Sequence, residues 1–290
     1  MRKLFLKNLI SSYCAENGIS RSAFGTICGV SDATLSFIEN EKWNKISDEM
    51  AQKIKSFIDG RKAEDLYQSY DLIDICRACS TAREHHFMIG ILADTGIGKT
   101  TSLRFYSRQK NVFYVSFYKS MTAPQFFEEL LREMAISYAG NLHNMINRVV
   151  EELNKKENPL VIIDEASIIN RNMMLYLREL RDKTVSNCGI ILAGMPYFKE
   201  KLVKYADGHK EGCAEFLRRV IMWHTCEGLK PNERREICQK YGITDPEAIK
   251  EMMDKSKFGE LMNEIHLYKK TMEDCNYRQV KNKVFLYDKA

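Results

Sequence analysis

Phe87-Met-Ile-Gly-Ile-Leu-Ala-Asp-Thr-Gly-Ile-Gly-Lys-Thr-Thr-Ser-Leu103 is the stretch of sequence that decides the fold. Its apolar first half, Phe87–Ala93, predicts a buried strand, and a helical pattern follows the glycines. A strand, a glycine-rich loop and a helix in this order are typical of a phosphate-binding loop. Because glycine tolerates a tightly folded backbone, successive amide N–H groups of such a loop can point at phosphate oxygens.

The residue types in this loop predict a site for ATP and Mg²⁺. Lys99 supplies a mobile positive charge to the β- and γ-phosphates, and the Thr100 hydroxyl is placed to ligate Mg²⁺. Ala93 stands where the usual pattern has its first glycine, while the Gly-x-Gly-Lys-Thr part is intact. The residues expected to contact the nucleotide are Thr95, Gly96, Ile97, Gly98, Lys99, Thr100 and Thr101.

A second apolar run, Asn158-Pro-Leu-Val-Ile-Ile-Asp-Glu-Ala166, ends in two carboxylates. Asp164 at the end of the predicted strand is a second candidate ligand for Mg²⁺. Glu165 is the candidate that orients and polarises the attacking water. The alternative is that this acidic pair only caps the following helix.

Short apolar runs alternate with helical patterns from about residue 86 onward, which predicts an α/β fold with a parallel sheet. The stripe of apolar residues from Leu142 to Leu153 predicts one crossover helix. After Pro231 the pattern is helical again. The predicted strands are Phe87–Ala93, Val112–Phe117, Leu160–Ile163, Cys188–Ala193 and Val220–Thr225.

These patterns divide the chain into segments with different predicted roles. The predicted segments are a helix-turn-helix DNA-binding domain (1–60), a helical linker (61–85), a P-loop ATPase core (86–230), a helical lid (231–270) and a tail of unknown role (271–290).

Composition narrows the class of protein. Hydrophobic residues make up 44% and charged residues 29%, with a net charge of +5, as in ordinary globular proteins. No apolar run is long enough for a membrane span, and the nine cysteines are scattered rather than arranged as a disulfide framework. Cys76 and Cys79 lack a second pair for zinc and are predicted to be helix residues without metal. We therefore expect a cytoplasmic protein without a membrane partner.

Residues 19–40 fit two short helices joined by a turn. Ser20 and Ser31 are candidate helix caps. Gly25 would let the helices approach closely, and Gly29 would permit a left-handed turn. Val30, Leu35 and Ile38 are expected to be buried by the second helix.

The exposed side of this second helix carries short polar side chains that suit base edges and phosphates. The alternative is a helical protein-interaction module on the same scaffold. Lys119, in a loop after the second strand, is a further candidate for phosphate contact at the inner face of an oligomeric ring, and the alternative is a solvated loop. The predicted DNA-binding residues are Arg21, Ser31, Thr34, Ser36, Lys42 and Lys119.

The segment Glu215-Phe-Leu-Arg-Arg-Val-Ile221 places two arginines just before the last strand. One of them is predicted to stabilise the transition state at a neighbouring subunit's ATP, and Arg219 is preferred over Arg218 for this role. The alternative is a solvated basic helix end.

The order of these motifs resembles the AAA+ target-selection ATPases of transposons and conjugative elements, the family of the bacteriophage Mu B transposition protein. The sharpest local likenesses are Thr34-Leu-Ser-Phe-Ile-Glu-Asn-Glu-Lys-Trp-Asn44 and Leu160-Val-Ile-Ile-Asp-Glu-Ala166. The resemblance implies ATP-driven oligomerisation on double-stranded DNA, as a ring or a helix, and delivery of that target DNA to a transposase. Hydrolysis would then release the DNA. It implies catalytic roles for Lys99, Glu165 and, less directly, Arg219.

Two positions depart from the family pattern. Met195 stands where a polar residue usually contacts the γ-phosphate, and the lid segment Lys257-Phe-Gly-Glu-Leu-Met262 lacks the usual arginine. Both departures predict an ATPase that is slow unless stimulated. The alternative functions are a helicase-loader-type AAA+ ATPase and a nucleotide-sensing transcriptional regulator that does not hydrolyse ATP.

Overall fold

The computed structural model describes residues 4–17, 20–28, 30–47, 50–51, 54, 57–58, 67–138 and 140–273. Contacts divide the chain into two compact units. The first comprises Met1–Leu66, Ile75–Leu92 and Thr100–Thr225, and the second comprises Tyr67–Asp74, Ala93–Lys99 and Cys226–Ala290.

The first unit contains a five-stranded sheet with the order β2-β3-β4-β1-β5, in which every neighbouring pair is parallel. Each apolar run predicted as a strand coincides with an observed strand to within one residue at either end. The strands are β1 (Met88–Leu92), β2 (Val112–Ser116), β3 (Leu160–Asp164), β4 (Gly189–Gly194) and β5 (Val220–Thr225).

Helices precede, connect and follow these strands, and thirteen of them have bounds within the described residues. They are α1 (Leu4–Asn17), α2 (Arg21–Cys28), α3 (Asp32–Glu39), α4 (Tyr70–Glu84), α5 (Lys99–Tyr106), α6 (Ala123–Glu133), α7 (Leu142–Asn154), α8 (Arg171–Thr184), α9 (Tyr197–Asp207), α10 (Cys213–Arg219), α11 (Pro231–Lys240), α12 (Pro246–Met252) and α13 (Phe258–Glu273).

Both faces of the sheet are covered, as a parallel sheet requires. The central strands β1, β3 and β4 are buried along their whole length. Alternate residues such as Val161 and Ile163 face the main apolar cluster, which also contains the buried sides of α6, α7 and α8. The predicted crossover helix is α7, with Met145, Ile146 and Val149 buried against that cluster.

The N-terminal helices α1, α2 and α3 have their own apolar cluster, which includes Phe24, Leu35 and Ile38. Helices α2 and α3 pack closely, because a Cβ on Gly25 would lie 2.8 Å from both Leu35 Cδ1 and the Val30 carbonyl oxygen. Gly29, predicted to form the turn, lies outside the described residues.

The second unit is helical and has a third apolar cluster, built from α11, α12 and α13. Buried acidic side chains connect the start of α4, the segment after β5 and α11 by hydrogen bonds. Glu233 accepts hydrogen bonds from the backbone N–H groups of Tyr70 and Lys230, each at 2.7 Å. Asp71 accepts from Glu227 and Gly228 in the segment that follows β5.

The predicted fold class is confirmed: a parallel sheet with surrounding helices and a P-loop after its first strand. The segment boundaries predicted from the sequence stay predictions. The linker residues 61–66 and the tail residues 274–290 lie outside the described part of the chain. Cys76 and Cys79 lie in α4, and Cys79 is buried.

Candidate nucleotide site

The loop between β1 and α5 has the backbone of a phosphate cradle. Gly96 has φ +83° and Gly98 has φ +104°, conformations that side chains with a Cβ rarely adopt. A Cβ on Gly98 would meet no atom within 4 Å, so the loop is open there. Open space beside a glycine backbone with positive φ fits an anion cradled by amide N–H groups.

Lys99 is the first residue of α5, and only 7% of its surface is exposed. It follows the glycine loop directly, which is the position from which the lysine of a phosphate-binding loop reaches the β- and γ-phosphates. Of the neighbouring candidates, Ile97 is buried, whereas Thr95 and Thr101 are exposed.

The first turn of α13 touches this loop within the second unit. The backbone N–H of Gly259 donates to the Gly96 carbonyl at 2.6 Å. A Cβ on Gly96 would lie 3.9 Å from Lys257 Cβ, and the Lys257 ammonium pairs with Glu260 at 3.2 Å. The sequence pattern assigned the lid no cation, because it lacks the expected arginine at Met262. The fold brings the backbone of Lys257 beside the loop.

Asp164, the last residue of β3, is fully buried and accepts hydrogen bonds from several groups. The Thr100 hydroxyl donates to Oδ2 at 2.7 Å, and the Tyr114 hydroxyl donates to the same oxygen at 2.9 Å. The backbone N–H of Glu165 donates to Oδ1 at 2.8 Å. Thr100 and Asp164, chosen from the sequence as Mg²⁺ ligands, are therefore in contact.

Tyr114 is a residue of this cluster that sequence reasoning missed. It lies on β2, whose neighbour in the sheet is β3, and the ring is also contacted by the Arg104 guanidinium at 5.3 Å. Burial, together with the negative charge of Asp164, raises the pKa of Tyr114 to about 12. The phenol therefore stays protonated and donates to Asp164. Strand pairing placed it there, and no local motif signals it.

The oxygen atoms of Thr100 and Asp164 are of the kind that Mg²⁺ prefers. Mg²⁺ prefers hard oxygen ligands and is commonly held by one carboxylate, a hydroxyl and phosphate oxygens, with several waters retained. Thr100 and Asp164 would supply the protein part of such a set, and Thr100 follows the loop lysine directly in the chain. A bound Mg²⁺ would supply positive charge that neutralises the phosphates.

Glu165 has a left-handed backbone, with φ 55° and ψ 31°. It begins the 3₁₀ turn Ala166–Ile168 directly after β3, and its side chain is partly exposed. A left-handed conformation is unfavourable for a residue with a Cβ and marks a position held by its surroundings.

The end of β4 carries no polar side chain, yet it makes a polar contact. The backbone N–H of Met195 donates to the Ser167 hydroxyl at 2.6 Å. A Cβ on Gly194 would collide with that hydroxyl, so glycine allows the close approach.

Arg219, predicted to act on a neighbouring subunit, is engaged within its own chain. Its guanidinium makes two hydrogen bonds of 2.6 Å to the Asp182 carboxylate and a third to the Glu215 carbonyl. The hydrogen bond from Arg219 lowers the pKa of Asp182. Arg218 is exposed. A role for Arg219 in trans therefore requires exchange of the Asp182 carboxylate for a phosphate.

The predicted DNA-binding residues of the N-terminal helices have specific internal contacts. The Ser31 hydroxyl caps α3 by accepting from the Thr34 N–H at 3.3 Å, and the two hydroxyls lie 2.9 Å apart. Ser36 Oγ accepts from the Asn40 amide at 3.3 Å. Arg21 pairs with Glu39 and donates to the Leu35 carbonyl.

The two lysines among these predicted residues lie at the surface. Lys42 follows α3 and Lys119 follows β2, and both are exposed.

Residues 82–202 match the family model described as AAA domain. This segment covers strands β1 to β4 and the loop after β1, which are arranged as in an AAA+ P-loop fold. No curated protein matches the chain by sequence.

Two solved structures illustrate what the chain is similar to. One is the replication initiator DnaA bound to AMPPCP and single-stranded DNA, with a TM-score of 0.46, 17% identity and coverage of 72% of this chain and 64% of that one. The other is a DNA replication initiation factor, with a TM-score of 0.49, 15% identity and coverage of 77% and 66% respectively. This chain spans about two thirds of the length of each. Among the described helices, none is long and apolar enough to cross a membrane.

Proposed function

We propose that this protein binds ATP with Mg²⁺ through the loop that ends in Lys99 and Thr100, and that it hydrolyses ATP slowly. The observation that carries this proposal is the 2.7 Å contact between the Thr100 hydroxyl and the buried Asp164 carboxylate, directly after a glycine loop with positive φ angles. In this proposal Lys99 contacts the β- and γ-phosphates, and Thr100 and Asp164 hold the metal. Glu165 orients the attacking water.

The departures at Met195 and Met262 support slow hydrolysis. Neither side chain can donate a hydrogen bond or a charge to the γ-phosphate. A slow ATPase suits a switch, in which the ATP-bound and ADP-bound states differ in what they bind, better than it suits a motor.

We further propose that the switch acts on double-stranded DNA. Helices α2 and α3 would form a helix-turn-helix, with the capped α3 presenting Thr34 and Ser36 to the DNA. Lys42 and Lys119 would contact phosphates, because both are exposed cations. ATP would drive assembly of several subunits on DNA, as a ring or a helix.

The biological process proposed is DNA transposition: capture of target DNA, delivery to a transposase and release upon hydrolysis. The support for this step is the resemblance of the motif order to transposon target-selection ATPases. Helicase loading and nucleotide-sensing transcription control are the competing processes.

The first experiment measures DNA binding and particle size for the purified chain with ATP, with ADP and without nucleotide, at fixed salt. We expect binding and large assemblies in ATP alone. Equal DNA binding in all three states, at constant small size, would refute the switch and favour a regulator in which only the N-terminal helices hold DNA.

A second experiment tests the chemistry. E165Q is expected to bind ATP normally, lose hydrolysis and stabilise DNA-bound assemblies. K99A is its counterpart and should lose ATP binding, since it removes the loop cation. Unchanged hydrolysis in E165Q would contradict the role of Glu165.

A further inference from the structure

The strained backbone of Glu165 raises the question of what holds it. The left-handed region is unfavourable for an L-residue, so the conformation persists only where neighbouring contacts enforce it. Asp164 Oδ1 accepts the Glu165 N–H on one side. The 3₁₀ turn Ala166–Ile168 follows on the other side, and the Ile168 N–H in this turn donates to the Glu165 carbonyl at 3.3 Å.

Lys201, on α9, binds this turn through two backbone carbonyl groups. Its ammonium donates to the Ser167 carbonyl at 2.9 Å and to the Ile169 carbonyl at 3.0 Å. The side chain is partly buried, and burial, with a smaller effect of the Lys119 charge, lowers its pKa. A charged donor to neutral carbonyls makes a stronger hydrogen bond than a neutral one.

Ser167 fixes the same turn to the sheet. Its hydroxyl accepts the Met195 N–H at the end of β4, and Gly194 leaves room for it. The turn after Glu165 is therefore held by its side chain to β4 and by its carbonyls to α9. No local sequence motif reveals these contacts, because Lys201 lies 34 residues from Ser167 in the chain.

We propose that Lys201 is a positioning residue for hydrolysis, which acts by holding the turn that fixes Glu165 in its left-handed conformation. This inference rests on the proposed ATPase function. It assigns Lys201 no contact with the nucleotide, so ATP affinity should not depend on it, whereas the rate of hydrolysis should. Small displacements of a catalytic group reduce rates by about 100-fold for roughly 1 Å, so the expected effect is large.

The test compares K201M, which fills similar space without a donor, with K201R, which can still donate to two carbonyls. K204M is the matched control, because Lys204 lies on the same helix with its side chain exposed. ATP affinity is measured by equilibrium binding of a fluorescent ATP analogue, and hydrolysis by single turnover at saturating ATP. We expect K201M to hydrolyse about 10- to 100-fold more slowly with ATP affinity unchanged within about twofold. K201R should recover most of the rate, and K204M should behave as wild type.

A double-variant cycle separates positioning from a general structural role. If Lys201 acts through Glu165, K201M should slow hydrolysis in the wild-type background and have almost no further effect in E165Q. Additive losses in the double variant, or equal losses of ATP affinity and hydrolysis in K201M, would overturn the proposal. If K201M does not fold, K201Q replaces the ammonium with a shorter, uncharged amide donor and is expected to show a smaller loss of rate at unchanged affinity. Wild-type hydrolysis in K201Q would overturn the proposal.

The outcomes also distinguish this inference from the proposed function. If the wild-type protein neither binds nor hydrolyses ATP, and so behaves as K99A does, both the proposed function and the Lys201 inference are refuted. Wild-type protein that hydrolyses ATP in a Lys99-dependent manner, with K201M as active as wild type, would overturn the Lys201 inference alone.

Discussion

Asp164 has no solvent exposure, yet the Thr100 and Tyr114 hydroxyls both donate to one of its oxygens. A buried carboxylate without such donors would be strongly destabilising, and hydrogen bonds to a charged group are each worth about 1.5–3 kcal/mol. The hydrogen bonds from Thr100 and Tyr114 therefore stabilise the buried Asp164 carboxylate without a metal. Thr100 and Asp164 would hold Mg²⁺ when it is bound.

The Tyr114 contact predicts a pH dependence of stability. The pKa of Tyr114 is raised to about 12 in the folded protein, above its ordinary value of 10.0. Its contribution is thus present below pH ~10 and is lost as the pH rises through about 12. We expect Y114F to be less stable than wild type at pH 8, by about 1.5–3 kcal/mol, and the difference to shrink between pH 10 and 12.

Urea denaturation of both proteins across this pH range measures the difference directly. The comparison with Y114F cancels the titration of the other tyrosines. A difference that stays constant to pH 12 would show that Tyr114 does not donate to Asp164.

At the scale of elements, the loop between β1 and α5 needs glycine for its backbone conformation and, at one position, for the open space beside it. Gly96 and Gly98 both adopt positive φ, and of the two only Gly98 has open space on every side of a prospective Cβ. Alanine at Gly98 would therefore strain the backbone without colliding with another atom. Its methyl group would occupy space in the proposed phosphate cradle.

G98A is predicted to lower ATP affinity by at least about tenfold, while the free energy of unfolding falls by only about 1–2 kcal/mol. G242A is the matched control: Gly242 has φ +75° and likewise no atom within 4 Å of its prospective Cβ. Isothermal titration with ATP and urea denaturation measure the two quantities. Equal ATP affinity in G98A and G242A would refute the cradle.

The N-terminal helices offer a second element-scale prediction, on the cap of α3. S31A removes the acceptor for the Thr34 N–H and should destabilise these helices by about 1 kcal/mol, whereas S31D should restore the cap. Trp43 packs against this cluster, so its fluorescence in a W223F background reports unfolding there. Because an aspartate would repel DNA phosphates, DNA binding is compared in S31A and in S31N, which caps without a charge. If both variants weaken DNA binding, Ser31 contacts DNA in addition to capping α3.

At the scale of the whole molecule, Arg219 raises the question of assembly. Its contact with Asp182 is a partly exposed ion pair; exposed pairs contribute about 0.2–1 kcal/mol, and the bidentate geometry places this pair at the upper end of that range or somewhat above it. Exchange of Asp182 for a neighbouring subunit's phosphate is therefore not opposed by a large free energy.

We predict that R219A keeps its ATP affinity and loses hydrolysis by about 10³-fold, as removal of a trans-acting arginine does. R218A, with the neighbouring exposed arginine removed, is the control. Mixing R219A with K99A should restore hydrolysis, because each variant supplies the part that the other lacks. Mixtures as inactive as their components would exclude a trans role for Arg219.

The local patterns of the sequence determined the five strands, the glycine loop and the acidic pair, because strand burial and loop chemistry depend on residues adjacent in the chain. The order β2-β3-β4-β1-β5 followed only from the tertiary structure. That order places Tyr114 beside Asp164, since β2 pairs with β3. Position within a sheet depends on pairing between distant strands, which the local pattern does not encode.

The same limit applies to the other residues that the sequence did not single out. Lys201 and Lys257 are ordinary surface-type lysines by pattern, and Arg219 shows no sign of its partner. Only the tertiary structure decided that Lys201 binds the turn after Glu165, that Lys257 lies beside Gly96, and that Asp182 holds Arg219. The physical reason is that these contacts join separate helices and loops, whose packing is set by the whole apolar core.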